Sequence, residues 1–294
     1  MSHLVKSARW SPSSACWCAL VLAASGCAQQ TWPDPRPSLE EVAAIRARGG
    51  GGAGGAAAAA QPTGTGWGTL KGRFLLAGGA PALDALSTGG KDGQVCGNSV
   101  PNQSLVVDSA TRGIANVLVY ARKVSRVFAE ENAAPPAEAL FDQKNCVFLS
   151  HVMGVKTAQT MLIKNSDPIG HNTNMSPQGN PGINPLLAPG GEVRYQFQRQ
   201  LTIPAEATCS IHPWMKAYVL ARDDGYFAVT APDGSFEIPN LPAGEDIEFQ
   251  VWHERAPQGL EAASGWARGR FTKKIGENET LDLGAVEVPV GQFN

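Results

Sequence analysis

The chain has 294 residues, a formal net charge of −2 and an ordinary hydrophobic content. That length holds one large domain or two average ones, and the near-neutral charge offers no basic patch for a phosphate backbone, so nucleic acid is not an expected partner. With 33 Gly and 21 Pro, the chain favours turns and linkers, which points to a β-rich fold with one stretch outside regular structure.

The first thirty or so residues read as a targeting segment. Lys6 and Arg9 give it a positive start, and Ala15 to Ala24 is an apolar run of about ten residues, too short to span a bilayer. Ala24-Ser25-Gly26-Cys27 follows, a small-residue cleavage site ending in cysteine. It resembles the lipobox of bacterial lipoproteins, and the resemblance implies removal of 1–26 and lipidation of Cys27. An ordinary secretory signal cut near Ala28 is the alternative. Either way the mature chain is expected outside the cytoplasm, and with the lipid it is membrane-anchored, facing the periplasm or the cell exterior.

Cysteine parity then becomes informative. Cys16 and Cys18 leave with the signal and Cys27 carries lipid, so Cys96, Cys146 and Cys209 remain. An odd number in an exported protein leaves at least one thiol outside an internal disulfide. If Cys209 binds metal, Cys96 and Cys146 are free to pair, a step that parity alone does not decide.

Residues 27–66 form an expected tether. Ser38-Leu39-Glu40-Glu41 has the form of a capping box and opens a short helical pattern to about Arg48. Gly49 to Ala60 is almost pure Gly and Ala; about 17 such flexible residues reach roughly 20–25 Å, which suits a domain held off a membrane by its lipid. From Trp67 the texture changes to short β-type runs: 69–76, 104–107, 115–121, 146–149, 160–164, 192–198 and 216–221. The Pro-containing piece 129–139 reads as a loop insertion. Such spacing without long helical periodicity argues for an all-β sandwich over 67–224.

A second unit is expected over 225–294. Tyr226 to Thr230, the turn Ala231-Pro232-Asp233-Gly234, Ser235 to Ile238, Leu241-Pro242-Ala243-Gly244 and Glu248 to Trp252 form a strand-turn-strand series. This stretch resembles the carboxypeptidase regulatory-like, transthyretin-like sandwich. The two units are also compatible with a shared core.

Cys209-Ser-Ile-His212-Pro-Trp-Met215 places a thiol, an imidazole and a thioether three residues apart between two strand-like runs. Soft sulfur with imidazole selects copper, and Cys plus two His with a long axial Met describes a blue-copper site. His171, in Asn165-Ser-Asp-Pro-Ile-Gly-His171-Asn172, supplies the second histidine from a loop after another strand. Asn-x-Asp with His-Asn, then Cys-x-x-His-Pro-x-Met, resembles the cupredoxins, amicyanins most closely, over about Val147 to Ala221. The resemblance implies a Greek-key sandwich with one type 1 copper held by His171, Cys209, His212 and Met215. It also implies that Asn172 hydrogen-bonds across to the cysteine-bearing loop. Thr173-Asn174-Met175 and the long loop Asn180 to Pro189 depart from the family pattern. The whole mature chain also resembles exported bacterial proteins labelled methylamine-utilisation-like, which join these two kinds of sandwich.

A competing group, Cys146, His151 and Met153, places Cys146 and His151 on opposite faces of a continuous strand. A Cys96–Cys146 disulfide is the more economical use of Cys146. His253 is expected at a surface or strand end, and Trp214 and Pro213 as packing that keeps water off the metal. No His-x-His, Gly-x-Ser-x-Gly or His-Glu-x-x-His element is present, and a saturated copper leaves no position for substrate, so an electron carrier is expected rather than an enzyme. Its partners would be redox proteins of unknown identity. The other readings are a non-redox adhesion or carbohydrate-binding sandwich, and a copper delivery or storage protein.

Overall fold

A computed structural model describes residues 64–129, 138–262 and 266–293. The expected signal segment, Cys27, the helical pattern from Ser38 and the Gly/Ala tether lie outside the described residues, as does most of the loop expected over 129–139. Among the described residues no helix is long and apolar enough to cross a membrane.

Among the described residues the regular structure is almost entirely β-strand. It opens with β1 (Trp67–Ala77), β2 (Leu86–Ser87), a single helical turn α1 (Gly93–Cys96), β3 (Ser99–Val100) and β4 (Leu118–Lys123). A middle stretch follows with β5 (Ala139–Lys144), β6 (Val147–Phe148), β7 (Val152–Lys156), β8 (Met161–Asn165), β9 (His171–Asn172), β10 (Asn174–Met175), β11 (Leu186–Leu187), β12 (Glu192–Tyr195), β13 (Ala205–Thr208) and β14 (Lys216–Arg222). It ends with β15 (Phe227–Val229), β16 (Ser235–Pro242), β17 (Asp246–Trp252), β18 (Arg270–Lys274) and β19 (Thr280–Pro289).

These strands make four principal sheets, ordered β16-β1-β19, β15-β4-β17-β18, β10-β13-β14-β7 and β12-β8-β5-β6. A division at residue 224 does not describe how they assemble. β1 pairs antiparallel with β16 and parallel with β19, and β4 pairs with β15 and β17. One sandwich is therefore built from both ends of the described chain, and the stretch from β5 to β14 is inserted into it. The alternation in β1, with Leu70, Phe74 and Leu76 inward, fixes which face is buried. It does not say which strand covers that face, because many apolar faces satisfy the same period.

Two hydrophobic cores meet at β4. Val119 and Ala121 pack into the outer core with Phe74, Phe236 and Phe249, while Leu118 and Tyr120 pack into the inner core with Phe141, Ile163 and Leu220. Burial on both faces explains why 117–121 is an unbroken apolar run rather than an alternating one. Each fully buried large apolar side chain contributes about 1.5–3 kcal/mol relative to exposure, so the middle layer stabilises both sandwiches at once. Arg222, 3% exposed, clamps the junction: its Nη2 donates to Ala121 O at 2.8 Å, Arg122 O at 3.1 Å and Asp224 Oδ2 at 3.0 Å. Tyr120, whose hydroxyl donates to Thr202 O at 2.7 Å, is pushed up to about 12 by burial.

Candidate metal centre

β13 and β14 are antiparallel neighbours with Thr208 opposite Lys216, so the residues between them form a tight loop at one end of the sheet. Cys209 N–H donates to Met215 O at 3.3 Å and Met215 N–H to His212 O at 2.9 Å. These bonds fold the loop on itself, and the side chains of Cys209, His212 and Met215 are all fully buried. Trp214 closes the outside: its ring centroid is 5.0 Å from that of His212 and its Nε1–H donates to Cys146 O at 3.0 Å.

His171 arrives on β9, which pairs with β11 in a short two-stranded sheet. Asn165 ends β8 and is completely buried, which requires partners for its amide. Its Nδ2 donates to Ile169 O at 2.7 Å and Leu187 O at 3.0 Å, and its Oδ1 accepts Asp167 N–H at 3.0 Å. That network turns the chain back so that His171 pairs with Leu187 and Asn172 with Leu186 in β9–β11. Asp167 is itself anchored by the β5–β6 hairpin turn, where Asn145 and Cys146 both take positive φ, 55° and 59°. Two consecutive left-handed residues make the tight hairpin turn that suits strand twist. Their N–H groups donate to Asp167 Oδ1 at 2.6 Å and Oδ2 at 2.8 Å.

Three donor atoms converge. His171 Nδ1 and His212 Nδ1 are 2.8 Å apart, and Cys209 Sγ lies 4.0 Å from the first and 3.8 Å from the second. The remote nitrogens are both held by carboxylates: His171 Nε2 by Asp167 Oδ2 at 2.8 Å, and His212 Nε2 by Asp92 Oδ2 at 2.9 Å. A carboxylate acceptor places the ring proton on Nε2 and leaves the Nδ1 lone pair for the centre. Burial lowers the His171 pKa, opposed by the Asp167 hydrogen bond and reinforced by His212, which favours the neutral, ligating form. Asn172 ties the two loops together. Its Oδ1 accepts Ser210 N–H at 2.8 Å and Ile211 N–H at 3.3 Å, its backbone N–H points to Cys209 Sγ at 3.4 Å, and its Nδ2 donates to Ser210 Oγ at 3.2 Å.

No known family pattern and no curated protein matches the sequence. Among solved structures, part of a copper-containing nitrite reductase from Thermus scotoductus SA-01 matches at 22% identity and TM-score 0.28, over 32% of this chain. The chain spans only 24% of that reductase. A reduced Cu(I) form of an amicyanin mutant matches at 17% identity and TM-score 0.27, over 36% of this chain and 99% of the amicyanin. A purple cupredoxin from Nitrosopumilus maritimus matches at 20% identity and TM-score 0.24, over 29% of this chain and 99% of its own.

The structure thus brings His171, Cys209 and His212 into one buried group with Asn172 beside them. Met215 sits in the same core as Cys209 and lines a cavity of about 410 Å³ with Trp214, His151 and Glu254. The group Cys146, His151 and Met153 does not assemble. Cys146 is bonded to Cys96 in a disulfide, His151 pairs with Glu254, and a bend separates β6 from β7. His253 does stand at the end of β17, but it is buried rather than at the surface, with its ring against Phe293 at 5.0 Å. Two functional groups escaped the sequence reading. Asp167 lay in plain view within Asn-x-Asp, but no role followed from the pattern. Asp92, in a Gly-rich turn far from either ligand loop, carries no local signal at all.

Proposed function

We propose that the protein is an extracytoplasmic type 1 copper protein that transfers single electrons, in which His171, Cys209 and His212 would hold the copper strongly and Met215 would be a weaker thioether ligand. The supporting observation is the convergence of one cysteine sulfur and two imidazole Nδ1 atoms in a fully buried pocket. Sulfur, two imidazoles and a thioether form the donor set that selects copper of this kind. Bound copper would supply the Cu(I)/Cu(II) couple. The chain does the rest: Asp167 and Asp92 fix the ring orientations, and Asn172 holds the cysteine loop against the His171 loop. Donors positioned by the fold need little rearrangement when an electron arrives or leaves, and their burial keeps water and substrates off the centre. A closed donor set favours a carrier over a catalyst. In this reading Cys27 carries the lipid that holds the protein at a membrane, where redox proteins are its partners.

The test is direct. One equivalent of Cu(II) added to the protein should raise an intense visible sulfur-to-copper charge-transfer band that cycles reversibly by one electron, and Cys209→Ser should abolish it. A parent protein that gives no such band ends this reading. A band with irreversible redox behaviour would favour copper delivery instead.

A further inference from the structure

The segment between β1 and β4 belongs to neither ligand-bearing sheet, yet it closes over the centre. β2 pairs with β3, the single turn α1 lies between them, and Cys96 fastens the turn to the β5–β6 hairpin through Cys146. Lys91 Nζ reaches across to Ile211 O at 2.7 Å. Next to it, Asp92 takes φ 51° and ψ 34°, a left-handed conformation that Asp tolerates better than most side chains. The result is that Asp92 Oδ2 meets His212 Nε2 at 2.9 Å; the imidazole is 0% exposed and the carboxylate 40%.

We propose that Asp92 is a positioning residue of the metal centre, orienting His212 through Nε2 and lowering the potential of the copper that Nδ1 holds. The proposal rests on the copper reading above. A carboxylate accepting the Nε2 proton increases electron density on the ring, and a negative charge near the ion favours Cu(II) over Cu(I). Lys91 lies on the same hairpin, but its ammonium caps a backbone carbonyl and does not touch the ring. The two residues therefore separate two effects, covering the site and charging it.

Three variants make the test, each loaded with one equivalent of copper. Asp92→Asn keeps an acceptor and removes the charge, Asp92→Ala removes both, and Lys91→Met loosens the hairpin while leaving the carboxylate. Cu(II) affinity is measured by chelator competition and midpoint potential by spectroelectrochemistry. Affinity should fall about 10–100-fold in Asp92→Ala, the potential should rise in both Asp92 variants, and Lys91→Met, which removes a positive charge, should not raise it. An unchanged potential in Asp92→Asn, or an equal rise in Lys91→Met, overturns the proposal. Should Asp92→Ala fold poorly, the other two variants still decide. A missing charge-transfer band in the parent protein would instead refute the copper reading itself.

Discussion

Truncating Asn172 to Ala should destabilise the copper-free protein by about 2–4 kcal/mol, because the side chain is the main polar cross-link between the two ligand loops. Its Oδ1 serves Ser210 N–H at 2.8 Å, Ile211 N–H at 3.3 Å and the Cys209 thiol at 3.3 Å, while Nδ2 serves Ser210 Oγ and Asn184 Oδ1. A net hydrogen bond is worth about 1 kcal/mol, and a buried group left unpaired costs about 1–3 kcal/mol, so losing the short Ser210 bond dominates. At about 2–4 °C per kcal/mol for a chain of this size, the midpoint should drop by roughly 5–15 °C. Asn172→Asp retains the acceptor but faces Asn184 Oδ1 with a second oxygen, and should lose about half as much. Thermal unfolding followed by near-ultraviolet circular dichroism reads both, since Trp214 reports on the loop. A midpoint for Asn172→Ala within a degree or so of the parent would refute the cross-link as a source of stability.

Phe141→Ala should cost about 3–5 kcal/mol, as the ring is fully buried and stacked on Phe148 with centroids 5.0 Å apart; urea denaturation checks it, and a loss below about 1 kcal/mol would mean the site collapses freely. Burial pushes His253 down from 6.5 to about 4, so as pH falls the unfolded chain takes up this proton first. Its contribution to stability is complete above the unfolded value and drains between the two values, by on the order of 3 kcal/mol. His253→Gln should flatten that limb of the pH–stability curve, and a variant curve parallel to the parent's would sink the assignment. Replacing Cys96 and Cys146 together by Ala opens a loop of sequence separation 50, whose closure entropy is worth about 4 kcal/mol. The double variant should unfold at clearly lower urea, and an unchanged midpoint would contradict the entropic account.

The Cys209–Met215 loop was legible because a thiol, an imidazole and a thioether lie within one heptapeptide, where spacing and chemistry can be read together. His171 was within reach for a related reason: Asn165, Asp167 and Asn172 surround it with polar residues, which the structure shows to be fully engaged. Asp92 was not legible. It meets His212 across 120 positions, and one aspartate among glycines says nothing about what it will face once the chain folds. The same limit hid the partners of β1. Periodicity reports one face of a strand, whereas pairing is settled by which distant face complements it.

The insertion has a consequence for how the chain can be cut and recombined. β4 and β15 are antiparallel neighbours, with Phe227 opposite Tyr120. In an uninterrupted sandwich a short turn would join them, and the whole stretch from β5 to β14 is spliced in at that turn. Turns are where sandwiches accept foreign cassettes with least damage. A truncation after residue 224 would not liberate the β5–β14 stretch as a separate module. It would strip β1 and β4 of their neighbours and leave two long open edges of the sort that drive aggregation. Excision calls for two cuts, one after β4 and one before β15, with a short linker to rejoin what is left behind.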